Sequence, residues 1–415
     1  MNFEIEFARN GEYTLKLNNK YVYSKYNPKS DAQKFIENEL EPAAVGYLLV
    51  GLGIGYHLEA LANIYPNKKI IVIVLDAREM EIYNNYALNK HLLNSKNIEI
   101  INHSKIEHDI VNFQVIIPNS WINAIGVEHP LFFQLEDIKI RQMSYKSKKD
   151  LLEKNFRQNI LNNDISILGF KKVFEKMSAC LVAAGPSLDE SIELVKAAKR
   201  KCFILCVGSA LKVLLKQNIV PDAIIITDPL LQVVKQIEDT NYTGPLFYLS
   251  TANNEMTLHH QGKRFILFQE GYPLSEENIV RFESELIETG GSVATTGLSL
   301  LEYMGFNDIY LFGQDLGFKG EYTHSQQSTS GIKVKSNLEF RKVLSNNNEY
   351  IKTTSNLNTY HRWIARKVKS SSINIFNMSL NGAKIEGIQY IDDRNFYYNI
   401  EKLPTINFTK ILLSE

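Results

Sequence analysis

The sequence of 415 residues has few cysteines and no excess of either charge. Its three cysteines, Cys180, Cys202 and Cys206, form no CxxC pair, and an odd number argues against a disulfide framework. Basic and acidic residues both number 46, so no global basic field favours nucleic acid or an anionic membrane as partner. No apolar run approaches the roughly 18 residues of a membrane-spanning helix. The start, MNFEIEFARN, does not resemble a signal peptide, so we predict a soluble, cytoplasmic protein.

The sequence contains two patterns of hydrophobic residues. The first residues alternate polar and apolar positions (FEIEF, YTLKL, YVYSKY), which predicts a small antiparallel sheet. Later stretches repeat a short apolar strand, a turn of small residues and a helix, the rhythm of parallel sheets covered by helices. We predict an α/β fold of two Rossmann-like domains with mostly parallel sheets and a small N-terminal β element. The predicted segments are a β region (1–40), a Rossmann-like accessory domain (41–135), a helical linker (136–178), a catalytic α/β domain (179–395) and a C-terminal tail (396–415).

Small and hydroxylated residues follow successive strands of the second α/β region. Parallel strands end at one edge of a sheet, where loops meet helix N termini and ligands bind. Backbone amides and hydroxyls at such helix starts favour an anion. Taken alone, each of these residues could instead be a helix cap or part of a tight turn. Their position at the same edge of one predicted sheet favours a binding site. The candidates from this pattern are Gly185, Pro186, Ser187, Gly208, Ser209, Asp228, Gly291, Ser292, Thr295 and Asp315.

Three side chains at this edge suggest chemistry beyond anion binding. Asp228 and Asp315 end strands and are candidates for holding ribose hydroxyls or a divalent cation such as Mg²⁺. Asp315 is also, together with His324, a candidate catalytic residue. No metal ligand set is predicted, and no cofactor is assigned. His324, in the polar loop GEYTHS, is a candidate general base because the pKa of histidine lies near working pH. An incidental surface histidine is the alternative.

The N-terminal half carries a separate glycine turn, Gly51-Leu-Gly53-Ile-Gly55. It follows a strand, opens a helix and precedes Asp76 at the end of the next strand, which is the arrangement of a nucleoside-binding Rossmann unit. S-adenosylmethionine sites of this kind carry an acid two residues before the first glycine, and Leu49 stands there. We expect a Rossmann-like scaffold without a competent cofactor site, with a methyltransferase as the alternative.

Long motifs of the second half resemble a known family. The runs AAGPSLDE, VGSALKVLLKQNIVPDAIIITDP, GGSVATTGLSLLEYMGFNDIYLFGQDLGF and NMSLNGAKIEGI resemble the motility-associated-factor glycosyltransferases of flagellated bacteria. Those share a domain with the archaeal 6-hydroxymethylpterin diphosphokinases. GLGIGYHLEAL followed by IIVIVLD is similar to the accessory Rossmann domain of the same glycosyltransferases. The resemblance extends from about residue 40 to residue 395.

The resemblance implies transfer of a nonulosonic acid from its CMP-activated form to a serine or threonine of flagellin. It also extends to bacterial sialyltransferases, in which a Gly-Pro-Ser-Leu turn and a Gly/Thr-rich turn hold CMP. That match assigns nucleotide binding to Gly185, Pro186, Ser187, Ser209, Ser292, Val293, Ala294 and Thr295, with Asn377 and Ser379 near the cytidine.

The sequence departs from the family pattern in two respects. The sialyltransferases carry a base histidine before a late helix, where this sequence has Thr353, so His324 is proposed from local chemistry alone. Many relatives also continue with a helical C-terminal region beyond the point at which this sequence ends. A surface glycan is therefore retained as an alternative acceptor.

Three other functions remain open. The first is Mg²⁺-dependent pyrophosphate transfer from ATP to a pterin alcohol, as in the archaeal relatives. The second is a non-catalytic scaffold built from two degenerate Rossmann domains. The third is the methyltransferase suggested by the turn from Gly51 to Gly55.

Overall fold

The computed structural model describes residues 1–102, 113–318, 324–325, 328 and 340–414. The chain divides into two compact units, Met1–Ser144 and Tyr145–Glu415. No helix within these described ranges is long and apolar enough to cross a membrane. The α/β prediction, with large parallel sheets and a small N-terminal antiparallel sheet, is confirmed. The division into five segments made from the sequence remains a prediction.

The first unit begins with the predicted antiparallel sheet. Its strands β1 (Phe3–Phe7), β2 (Tyr13–Leu17) and β3 (Lys20–Tyr21) pair in chain order. The rest of the predicted β region differs, because Pro28–Glu39 forms helix α1. Pro28 stands in the first turn, where a missing N–H costs nothing, and Ala32 and Ile36 bury one helical face.

A four-stranded parallel sheet forms the core of the first unit. Its order is β6-β5-β4-β7 among the described residues. Alternate residues of β4 enter two clusters: Tyr47 and Leu49 pack on one side, Leu48 and Val50 on the other. Burial on both faces explains the continuous apolar strand. The elements are β4 (Gly46–Val50), α2 (Tyr56–Ile64), β5 (Lys69–Val74), α3 (Arg78–Tyr86), β6 (Ile98–Asn102), β7 (Phe113–Ile116) and α4 (Asn119–Ile125).

Helix α5 (Phe132–Asn159) covers only part of the predicted helical linker. Its last turns belong to the second unit, and two buried asparagines there bond to loop carbonyls of the same unit. The Asn155 side chain donates to the Pro229 carbonyl at 3.0 Å, and the Asn159 side chain donates to the Ser250 and Ala252 carbonyls at 2.9 and 2.7 Å. A short strand and a 3₁₀ turn follow. The part of the predicted helical linker after residue 159 therefore does not form an α-helix.

The second unit is built on a parallel sheet of ten strands in the described part of the chain. Their order is β14-β13-β12-β11-β10-β9-β15-β18-β19, and β8 also pairs with β13. The strands are β8 (Ile165–Ser166), β9 (Ser178–Val182), β10 (Phe203–Val207), β11 (Ala223–Ile226), β12 (Leu246–Leu249), β13 (Arg264–Gln269), β14 (Leu286–Ile287), β15 (Asp308–Phe312), β18 (Asn374–Asn377) and β19 (Gln389–Tyr390).

Helices and one hairpin surround this sheet. The hairpin pairs β16 (Arg341–Leu344) with β17 (Tyr350–Thr353). Phe408 and Leu412, within the predicted C-terminal tail, belong to the same hydrophobic core as the central strands. The helices are α6 (Leu188–Ala198), α7 (Gly208–Lys216), α8 (Asn254–His259), α9 (Pro273–Asn278), α10 (Val293–Tyr303), α11 (Ser355–Ser370), α12 (Asp393–Glu401) and α13 (Phe408–Ser414).

Candidate functional site

The strand order of the second unit creates a switch point between β9 and β15. From β9 the chain adds β10 to β14 on one side, and then returns to place β15 on the other side of β9. Ligands of open parallel sheets bind at such a point, outside the carboxyl ends of the strands. All pairings in this sheet are parallel, so the turns after its strands share one edge. The candidate residues stand at this edge.

The turn after β9 is tied to the end of β15. The Gly185 amide donates to the Gly313 carbonyl at 2.8 Å, and the Ser187 amide and hydroxyl both donate to Asp315 Oδ2 at 3.0 Å. A Cβ on Gly185 would lie 2.1 Å from that carboxylate oxygen and 2.3 Å from the Gly313 carbonyl oxygen, so the close approach requires glycine. The Ser187 donors, which the sequence assigned to a nucleotide, are thus used inside the protein.

Asp315 joins the ends of three neighbouring strands. It is 6% exposed, and its Oδ1 accepts the Ser379 hydroxyl at 2.6 Å while Oδ2 accepts the two Ser187 donors. Burial raises the pKa of Asp315, and the hydrogen bonds from Ser379 and Ser187 act in the opposite direction. Asn377 completes the cluster, because its Oδ1 accepts the Ser379 amide at 2.9 Å. This geometry suits a positioning role for Asp315 better than direct contact with a ligand.

A second cluster forms at the ends of β10 and β11. Gly208 and Ser209 begin α7, and a Cβ on Gly208 would lie 2.2 Å from Gln236 Oε1. Asp228 follows β11 and is half-buried. Its Oδ1 accepts the Leu230 amide at 2.9 Å, so one carboxylate oxygen holds the turn. Among the residues that the structure describes, the other oxygen has no donor and can accept one from a ligand.

The start of α10 contributes backbone donors to the same edge. Ser292 caps the helix, and it exchanges hydrogen bonds with Thr295 in a capping box. The amides of Val293 and Ala294 precede the first intrahelical bond, and in the described part of the chain they remain for another acceptor. Gly297 packs on Leu181 of β9, with further contacts to β10 and β11, so α10 crosses the strands that carry both clusters. The helix start favours an anion.

Tyr360, on α11, is a site residue that the sequence did not reveal. Its Cε1 atom would lie 3.2 Å from a Cβ on Gly291, which has φ +92° and so requires glycine. Burial raises the pKa of Tyr360, and the charge of Asp228 adds to this effect. One turn further, Trp363 packs against Gly290. In the sequence, Tyr360 and Trp363 look only like the apolar face of a late helix, because amphipathic spacing predicts packing and not ligand contact.

His324 lies close to the turn after β9. Its neighbour Ser325 donates its amide to the Ala184 carbonyl at 2.8 Å and its hydroxyl to Asp189 at 2.6 Å. His324 is partly buried, and burial lowers its pKa from the ordinary value of 6.5. A neutral imidazole beside the edge has the protonation state that a general base needs. The rest of the loop GEYTHS before it lies outside the described residues.

The structure therefore groups the candidates into two clusters at one edge. The first cluster comprises Gly185, Pro186, Ser187, Asp315, Asn377 and Ser379, with His324 nearby. The second comprises Gly208, Ser209, Asp228, Gly291, Ser292, Val293, Ala294 and Thr295, with Tyr360. Within the described ranges, no group of three or more His, Cys, Asp or Glu side chains is arranged to hold a metal ion.

The glycine turn of the first unit holds one of the chain's own carboxylates. Glu79 is fully buried and accepts four backbone amides. Its Oε2 accepts Leu52 and Gly53 at 2.6 and 3.1 Å, and its Oε1 accepts Leu75 and Asp76 at 2.6 and 3.1 Å. Burial raises the pKa of Glu79, and these four donors oppose the shift. The carboxylate thus occupies amides that a Rossmann turn offers to a ligand.

Aromatic rings cover the same turn. A Cβ on Gly51 would lie 2.3 Å from the Trp121 ring, and one on Gly55 would lie 2.4 Å from the Tyr83 ring. The Tyr23 hydroxyl donates to the Leu52 carbonyl at 3.0 Å and accepts the Gly55 amide at 3.3 Å. The glycines therefore make room for packed rings, which argues against the S-adenosylmethionine alternative.

Comparisons with known proteins agree with this architecture. Residues 153–321 match the family model described as 6-hydroxymethylpterin diphosphokinase MptE-like, so the second unit carries an MptE-like domain. The solved structure of the MAf glycosyltransferase from Magnetospirillum magneticum AMB-1 shares the fold, with a TM-score of 0.50 and 14% identity over 100% of this chain and 73% of that chain. An uncharacterized protein of Treponema pallidum is 33% identical over 72 residues, which span 17% of this chain and 25% of the relative.

Proposed function

We propose that the protein is a glycosyltransferase that moves a nonulosonic, sialic-acid-like sugar from a CMP-activated donor. The acceptor would be a serine or threonine hydroxyl, as in flagellin, or a hydroxyl of a surface glycan. The observation that carries the proposal is the edge of the parallel sheet, where a helix start, a half-buried carboxylate and a neutral histidine lie after strands of one switch-point fold. The fold shared with a MAf glycosyltransferase supports it.

In the proposed reaction the phosphate of the donor lies at the start of α10. The amides of Val293 and Ala294 would stabilise its negative charge. As the bond between the anomeric carbon and the phosphate oxygen breaks, its electron pair leaves with CMP. The acceptor oxygen then forms the new bond to the anomeric carbon.

His324 would take the proton that the acceptor hydroxyl loses. Asp315 holds the turn after β9 and the turn at Ser379 in place. The turn after β9 in turn bonds to Ser325, the neighbour of His324. Thus Asp315, a catalytic candidate in the sequence, is proposed here as a positioning residue.

Titration of the purified full-length protein with CMP tests the donor assignment. We expect heat of binding at millimolar CMP or below, and release of CMP when CMP-N-acetylneuraminic acid is supplied with an acceptor. A folded protein that binds no CMP at these concentrations would remove the donor assignment.

The second candidate is Mg²⁺-dependent pyrophosphate transfer from ATP to a pterin alcohol. The family model matched by residues 153–321 favours it. Of the two aspartates at the edge, Asp315 already uses both oxygens within the protein, so the described residues do not fit a Mg²⁺ site of paired carboxylates. Formation of AMP from ATP and 6-hydroxymethylpterin would select this function, and its absence alongside CMP binding would select the transferase.

The pH dependence of the transfer reaction tests His324. Burial lowers the pKa of His324 below 6.5. The rate should therefore rise with pH at pH values below 6.5, as the imidazole loses its proton, and be level around pH 7. His324→Ala should lower kcat about 100-fold and remove this rise, while CMP binds as before. His259→Ala, an exposed histidine, is the control. Unchanged kcat in His324→Ala would exclude this histidine as the base.

A further inference from the structure

The ring of Tyr360 lies over the glycine turn that opens α10. Its Cε1 atom would be 3.2 Å from a Cβ on Gly291, and the next apolar residue of α11, Trp363, packs on Gly290. Two aromatic rings one helical turn apart therefore fix the turn from both of its glycines. The phenol of Tyr360 is held beside the same helix start that presents the Val293 and Ala294 amides.

The Tyr360 hydroxyl is a neutral hydrogen-bond donor. Burial raises the pKa of Tyr360 and the Asp228 carboxylate raises it further, so the phenol keeps its proton at neutral pH. Tyr360 makes no hydrogen bond with another residue in the part of the chain that the structure describes. Because the ring is fixed by packing, its donor is available to a ligand at little cost in side-chain entropy.

Asp228, whose charge acts on Tyr360, offers a hydrogen-bond acceptor and not a donor. Its Oδ1 accepts the Leu230 amide at 2.9 Å, and its backbone carbonyl accepts the Asn253 amide at 3.0 Å, so both ends of the residue are fixed. Its other carboxylate oxygen can accept a hydrogen bond from a hydroxyl, whereas it would repel a phosphate. The two side chains therefore select different parts of one ligand.

We propose that Tyr360 and Asp228 together recognise the ribose-phosphate part of a ribonucleotide. Tyr360 donates to a phosphate oxygen at the start of α10, and Asp228 accepts the ribose 2′-hydroxyl. The inference rests on the proposed function, and it assigns the residues that would bind the phosphate and the ribose of CMP and favour CMP over dCMP. Tyr360 acts as a binding residue, and Asp228 acts as the residue that distinguishes ribose from deoxyribose.

Calorimetric titration of the full chain with CMP and with dCMP tests this assignment. We expect the natural protein to bind CMP about tenfold more tightly than dCMP, since dCMP lacks the hydroxyl that donates to the charged Asp228 carboxylate. Tyr360→Phe keeps the ring over Gly291 and should weaken both nucleotides about tenfold, because a hydrogen bond to a charged group is lost. Asp228→Ala removes every side-chain hydrogen bond to the 2′-hydroxyl and should bind CMP and dCMP equally.

The controls separate failure of this inference from failure of the proposed function. Tyr350→Phe, at a 73% exposed tyrosine of the hairpin, should bind CMP as the natural protein does. If the natural protein binds neither nucleotide, the proposed function fails and this inference with it. If it binds both equally, the role of Asp228 is overturned and the transferase proposal stands. If Tyr360→Phe binds CMP with unchanged affinity, the role of Tyr360 is overturned.

Discussion

Replacing Glu79 by glutamine is expected to lower the free energy of unfolding of the first unit by about 4 kcal/mol. The carboxylate accepts four backbone amides in a fully buried turn. The side-chain NH₂ of glutamine would replace one oxygen and meet two amide donors with no acceptor between them. A buried donor without an acceptor costs about 1–3 kcal/mol, and the volume of the side chain stays the same.

The two tryptophans make this measurement specific to one unit. Trp121 is buried in the first unit and Trp363 in the second, and the sequence has no others. In a Trp363→Phe background, the fluorescence of Trp121 during urea unfolding reports the first unit. Glu81→Gln, an exposed glutamate of the same helix, is the control and should change stability by less than about 0.5 kcal/mol. Equal stability of the two variants would show that the turn does not need the carboxylate.

Asp315→Asn is expected to destabilise the second unit by about 3 kcal/mol. Asparagine keeps one oxygen, so its NH₂ must face either the Ser379 hydroxyl or the Ser187 donors, and a buried group then lacks a partner. Trp363 fluorescence in a Trp121→Phe background reports the unfolding. Ser379→Ala removes one bond only and should cost about 1 kcal/mol.

This variant also decides between two roles of Asp315. Asp393→Asn, at an exposed aspartate of α12, is the control for the charge change and should unfold like the natural protein. A positioning role predicts lower stability together with weaker activity. Lost transfer activity with natural stability and natural CMP affinity would instead make Asp315 a catalytic residue.

The strand and helix pattern of both units could be predicted from the sequence because it depends on local periodicity. Strands such as β9 and β10 are apolar on both faces, and each is followed by small residues and a helix. The common edge of the candidate residues then follows from parallel pairing. Helix α1 could not be predicted in this way, because Asn, Lys and Ser around Pro28 weaken the helical pattern.

The partners of the buried carboxylates could not be predicted in the same way. Asp315 bonds to Ser187 across 128 positions of sequence, and only the three-dimensional fold brings them together. In the sequence, Glu79 cannot be told apart from Glu81 on the same helix, yet Glu79 is buried and Glu81 is exposed. In both cases a helix or glycine turn that suggests a ligand is filled by a carboxylate from elsewhere in the chain, which sequence spacing cannot reveal.

The strand order also constrains the sequence of events during protein synthesis. β9 lies in the middle of the sheet, yet its neighbour on one side, β15, is made more than a hundred residues later. Until Asp308–Phe312 has left the ribosome, the nascent chain carries β9 with one open edge that can pair with another chain. Ribosome-bound chains that end before residue 308 should therefore aggregate more readily than chains that extend beyond Ser379.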